Sequence, residues 1–69
     1  MSVRTALNNH IGKWCKVVDK DGFVYVNERS SDDLIGTSLS FLDKPVVSVI
    51  QSRMRSHRHS GLVVVITID

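Results

Sequence analysis

Gly61-Leu62-Val63-Val64-Val65-Ile66-Thr67-Ile68 is the stretch whose reading decides the fold. β-Branched residues dominate it, and its run of five apolar residues leaves neither face of a strand polar, so the strand must be covered on both sides. Directly before it comes the most basic segment of the chain, Arg53-Met54-Arg55-Ser56-His57-Arg58-His59-Ser60, which joins a doubly buried strand to a charged arm. A terminal strand in a small domain is more often an edge than a centre. A second copy of the chain is then the expected source of the missing cover.

The bounds agree with that reading. Sixty-nine residues make one domain, 1–69, and so short a chain has a thin core. Its 42% hydrophobic and 23% charged residues, with a formal charge of +2, describe a globular protein and not a disordered or histone-like tail. One cysteine, Cys15, excludes an internal disulfide framework, and no Cys-x-x-Cys spacing offers a thiolate metal site. Oligomerisation is therefore the leading way to enlarge the core. No apolar run reaches membrane-spanning length and the first residues do not read as a signal peptide, so a soluble, cytoplasmic protein without a membrane partner is expected.

Working outward, Ser2 reads as an N-cap, and Val3, Ala6, Leu7 and Ile11 fall at helical spacing before Asn8, Asn9 and Gly12 end the helix. Trp14, Cys15, Val17 and Val18 run into Asp19-Lys20-Asp21-Gly22, and Phe23-Val24-Tyr25-Val26 follows, which is a hairpin pattern. The polar residues 27–33 leave the second strand fraying or continuing on an exposed edge. Residues 34–41 alternate loosely, with Leu39 and Phe41 on one side of an expected third strand. Leu42-Asp43-Lys44-Pro45 makes a turn. A fourth strand begins at residues 46–50 and extends toward Met54, and the arm leads to the fifth. A short helix and about five antiparallel strands predict a mainly β, strongly bent sheet closing into a small barrel. No crossover helix fits between strands, so a parallel arrangement is not expected.

On these residues the chain resembles the Sm-like superfamily of Sm, LSm and Hfq proteins. Leu7, Ile11-Gly12-Lys13 and the strand reaching Asp21-Gly22 look like the first half of the family's first motif. Ser31-Asp32-Asp33-Leu34-Ile35 followed by Leu39 is similar to its aspartate-containing turn and third strand. Ser60-Gly61 ahead of Val63-Val64-Val65-Ile66 falls where the second motif has Arg-Gly and the last strand. The resemblance implies an N-terminal helix and a five-stranded barrel, Sm-like or SH3-like, in an RNA-binding ring. Gly36 or Thr37 stands where the family reads a base with asparagine, Ser60 where an arginine closes the pocket, and Asn27 where a glycine lets the second strand bend. The family's usual base pocket is thus unmatched.

Candidate sites follow from the arm and the apolar strands. Arg53, Arg55, His57, Arg58 and His59, with Lys16, form the candidate nucleic-acid contact, for RNA or another polyanion, because alternate residues of an extended arm share a face and can array charge along phosphates. The bland alternative is a solvated hairpin tip whose charges protect an edge. Val47, Val49, Val63, Val64, Val65 and Ile66 form the candidate oligomer interface, and docking of a protein partner on a sheet edge is the other functional reading.

Chemistry has fewer footholds. His57 and His59 with His10 lack a carboxylate or thiol to complete a metal shell, and Arg58 opposes a cation. Asp19-x-Asp21-Gly22 lacks the remaining ligands of a calcium loop. Cys15 with His10, or Asp32 with Asp33, are the only catalytic candidates, and a cysteine in an apolar strand and adjacent loop aspartates are ordinary packing and capping residues. No catalytic residue, metal or cofactor is expected. Trp14 beside Lys16 could stack a base, but Trp14, Phe23, Tyr25 and Phe41 read first as core and rim.

Overall fold

The structure is a computed structural model that describes residues 1–37, 39–55 and 60–69. Ser2 caps the first helix, α1 (Val3–Asn8), its hydroxyl accepting the Thr5 amide at 3.2 Å. Val3, Ala6 and Leu7 turn inward from it. The expected hairpin follows as β1 (Trp14–Asp19) and β2 (Val24–Ser30). Asp19 Oδ1 accepts the amides of Asp21 and Phe23, each at 2.9 Å, and Gly22 takes φ +92°. The Asp-x-Asp-Gly sequence is fully used as a turn.

The third strand expected over residues 34–41 does not form among the described residues, and Ser38 lies outside them. Instead β2 runs directly into a one-turn helix, α2 (Ser31–Ile35), and a 3₁₀ turn follows at Ser40–Asp43. The acids Asp32 and Asp33 sit in the first turn of α2, where the helix dipole favours negative charge, and Gly36 closes it. Leu34, Phe41 and Leu42 all go into the core from these turns. The remaining strands match expectation in position: β3 (Val46–Arg55) and β4 (Ser60–Ile68).

Their order does not. The sheet runs β2-β1-β4-β3, with β1 antiparallel to β2, β3 antiparallel to β4, and β1 parallel to β4 through six consecutive pairs from Trp14↔Val63 to Asp19↔Ile68. The five-stranded antiparallel barrel is replaced by an open, mixed, four-stranded sheet. No helical crossover was needed for the parallel pair, because β2, α2, the 3₁₀ turn and β3 together return the chain to the starting end. The last strand, expected at an edge, is an inner strand flanked by β1 and β3.

Cys15 and Val17 of β1, Val26 of β2 and Val64, Ile66 and Ile68 of β4 pack with α1, Leu34, Phe41 and Leu42 in one core. The partners of those residues one step along each strand face the other way. Trp14, Lys16 and Val18 pair with Val63, Val65 and Thr67, and these pair in turn with Ser52, Ile50 and Ser48 of β3. One face of the sheet thus carries the helices and the other carries this second set of side chains.

A candidate interaction edge

In the order β2-β1-β4-β3 the two outer strands are β2 and β3, and they differ in how they end the sheet. β2 is irregular twice. Cys15↔Arg29 and Val17↔Val26 leave Lys16 opposite both Asn27 and Glu28, and Val17↔Val26 and Val18↔Val24 leave Tyr25 as an extra residue. Glu28 adopts φ 52°, a left-handed conformation unusual outside glycine, and its side chain is buried with Oε1 lacking a hydrogen-bond partner. Bulges of this kind twist an edge away from incoming strands.

β3 has ten residues, no internal proline and one irregularity, at its start between Val46 and Ser48. The N-terminal segment occupies only that start: Val46 donates its amide to the Met1 carbonyl at 2.8 Å, and Ser2 bridges to Pro45. From residue 47 to residue 55 no described segment pairs with the outer side of β3. Along this length Val47 and Ile50 are exposed, at 62% and 56%. A row of unpaired amides and carbonyls beside exposed apolar side chains is a template for one more strand.

The candidate residues from the sequence distribute unevenly over this frame. Val63, Val64 and Ile66 are buried by their own chain, Val49 and Val65 are half-buried, and of that set Val47 alone is exposed. Ile50, outside that set, is exposed, and its place between Ser48 and Ser52 in an alternating strand is the pattern of a residue on the face away from the helices. Arg53 is exposed, lies opposite Leu62 in the ladder, and makes no ion pair among the described residues. Arg55 lies opposite Ser60. Arg53 belongs to the helix-bearing side of the sheet by its alternation with Val49, whereas Lys16 pairs with Val65 on the other side, so the sheet separates Lys16 from Arg53. His57, Arg58 and His59 lie outside the described residues.

Of the candidate reactive groups, Cys15 and Asp32 are taken up structurally. Cys15 is fully buried, its thiol donates to the Lys13 carbonyl at 3.7 Å, and burial pushes its pKa from 9.0 up to about 11. Such a thiol is a poor nucleophile at neutral pH. Asp32 Oδ1 accepts the Gly12 amide at 3.2 Å, and the Ser31 hydroxyl donates to the His10 carbonyl at 2.8 Å, so these polar groups fasten α2 to the loop after α1. Among the described residues no group of three or more His, Cys, Asp or Glu could hold a metal ion. Nor is any described helix long and apolar enough to cross a membrane.

The aromatics divide as core and rim. Phe41 is buried, Tyr25 lies 5.5 Å from it between ring centroids, and exposed Phe23 meets Tyr25 edge-on at 4.8 Å. Lys44 sits over the Tyr25 ring at 6.0 Å. Trp14 is half-buried on the side of Lys16, as the alternation of β1 requires. Compared with family models, with curated proteins and with solved structures, the chain matches none.

Proposed function

We propose that the protein is a non-enzymatic binding module that takes up an extended protein segment along the outer edge of β3. The observation that carries this reading is the unpaired length from residue 47 to residue 55, beside an opposite edge blunted by two bulges. Strand addition draws affinity from main-chain hydrogen bonds and selectivity from alternate side-chain positions, here Ser48, Ile50 and Ser52 on one face. A buried, protonated Cys15 and an Asp32 carboxylate engaged by the Gly12 amide support a role without catalysis.

The test compares wild type with Ile50→Lys in pull-downs after nuclease treatment, since a charge on an edge strand opposes pairing while an exposed site tolerates it. Partners that survive nuclease and are lost from the variant support edge docking. Partners indifferent to Ile50→Lys overturn it.

A second reading, RNA or another polyanion held by the arm residues Arg53, Arg55, His57, Arg58 and His59 without Lys16, which lies across the sheet, is favoured by one observation. Arg53 is exposed, without an ion pair among the described residues, toward the tip end of the β3–β4 ribbon. Changing Arg53, Arg55 and Arg58 to Gln should lower the slope of log affinity against log salt by about 3 if each contacts a phosphate. Short single-stranded RNA and DNA are the probes, and equal binding by the variant removes this reading.

A further inference from the structure

The edge-docking reading leaves the occupant open, and the geometry of β3 narrows it. We propose that the occupant is the β3 of a second copy of this chain, paired antiparallel about a two-fold axis at Gln51. This rests on the edge-docking reading and adds its partner and register.

Three observations lead there. The free edge begins after Val46, because the N-terminal segment holds that residue, and β3 ends at Arg55. The midpoint of residues 47–55 is Gln51, and only pairing centred there uses the whole free length in both copies. Directly opposed residues then alternate in step: Ile50 faces the partner's Ser52, and Arg53 faces the partner's Val49.

Charge selects the direction. β3 carries both of its charges, Arg53 and Arg55, near one end. Parallel pairing would hold the arginines of both copies side by side at strand spacing, about 4.8 Å. Antiparallel pairing separates Arg53 from the partner's Arg53 by four residues, roughly 13 Å, which exceeds the Debye length of about 8 Å at physiological salt. A formal net charge of only +2 leaves little long-range repulsion between copies.

Apolar continuity gives the pairing something to bury. Ile50 pairs with Val65 of β4 within one chain. In the proposed register Ile50 of each copy is the diagonal neighbour of the other, within reach of side-chain contact. Val65–Ile50 of one copy and Ile50–Val65 of the next become one stripe across an eight-stranded sheet. Because both β3 edges are consumed and β2 is bulged, the assembly closes as a dimer and does not propagate into a filament.

The experiment is light scattering over a concentration series together with oxidative cross-linking of engineered cysteines. Cys15 is buried and stays out of the reaction. The wild type should show a concentration-dependent monomer–dimer equilibrium. Gln51→Cys should form a disulfide dimer by itself, since directly opposed residues lie about 4.5–5.5 Å apart between Cα atoms, within disulfide range. Arg53→Cys should not cross-link by itself but should do so when mixed with Val49→Cys. Ile50→Lys should weaken the dimer at least about tenfold with its circular dichroism unchanged.

A wild type that is monomeric at every concentration, or an Arg53→Cys that cross-links by itself, overturns the inference. Edge docking fails separately, through nuclease-resistant partners that ignore Ile50→Lys. A monomer whose partners are lost with Ile50→Lys means that a foreign strand, and not a second copy, occupies the edge.

Discussion

Glu28 concentrates more cost than any other described residue: a left-handed backbone, a buried carboxylate and an Oε1 without a partner. It lies in the bulge of β2 opposite Lys16. Nothing in the residue type announced this, because glutamate is a poor choice for positive φ. Glycine at 28 would relieve the backbone and remove the unpaired oxygen, at a cost of about 0.5–1 kcal/mol in unfolded-state entropy. Glu28→Gly should therefore stabilise the fold by about 1 kcal/mol, read as a higher urea midpoint with an unchanged slope. Cys15 makes the second residue-scale prediction. Its folded pKa of about 11 lies above the ordinary 9.0, so the folded state keeps a proton that the unfolded state gives up between these values. Stability from this group is complete below pH 9 and falls as pH rises toward 11, by on the order of 2 kcal/mol. Cys15→Ala, compared with wild type by denaturant unfolding across that range, should flatten the fall, and Ellman's reagent should react only on unfolding.

Among the elements, α1, the β1–β2 hairpin, β3 and β4 were legible because each carries its own local signal: a cap, an Asp-Gly turn, a proline-bounded apolar run, a β-branched run. The strand read over residues 34–41 was a misreading. Leu39 and Phe41 suggested alternation, yet the stronger signal was Ser30-Ser31-Asp32-Asp33 before Leu34, an acidic first turn closed by Gly36. So short a helix has no intrinsic stability and is fixed by tertiary contacts that a local pattern does not display. Those contacts run through Leu34, which is 2% exposed. Leu34→Ala should cost about 3 kcal/mol, measured by thermal or urea unfolding. Asp33→Ala, an exposed change on the same turn, should stay within about 0.5 kcal/mol, and a larger loss there would mean that α2 is held by its charges and not by its core contact.

At the scale of the whole molecule, strand order decides what the apolar last strand is for. The apolar run of β4 announces burial, and Val63, Val64, Ile66 and Ile68 are buried, but it contains no local mark of which strands flank it, since the β1–β4 pairing joins residues about fifty positions apart. With β4 inside the sheet, one copy closes its own core. The accessible surface is 4335 Å², close to the roughly 4,300 Å² expected of a compact monomer of 7.7 kDa, and the radius of gyration of 10.9 Å agrees with about 11 Å for this length. The proposed association is then an addition at an edge and not a condition of folding. Substitutions in the two apolar strands must separate accordingly. Val64 is 2% exposed on an inner strand, in the core between the sheet and the helices, so Val64→Lys buries an unpaired ammonium there and should unfold the protein even when dilute. Ile50→Lys, on the exposed outer strand, should leave the monomer folded with a melting temperature within a few degrees of wild type. Circular dichroism melts of both variants at low and high concentration check this, and a folded Val64→Lys monomer would show that β4 lies at an interface between copies and not inside one sheet.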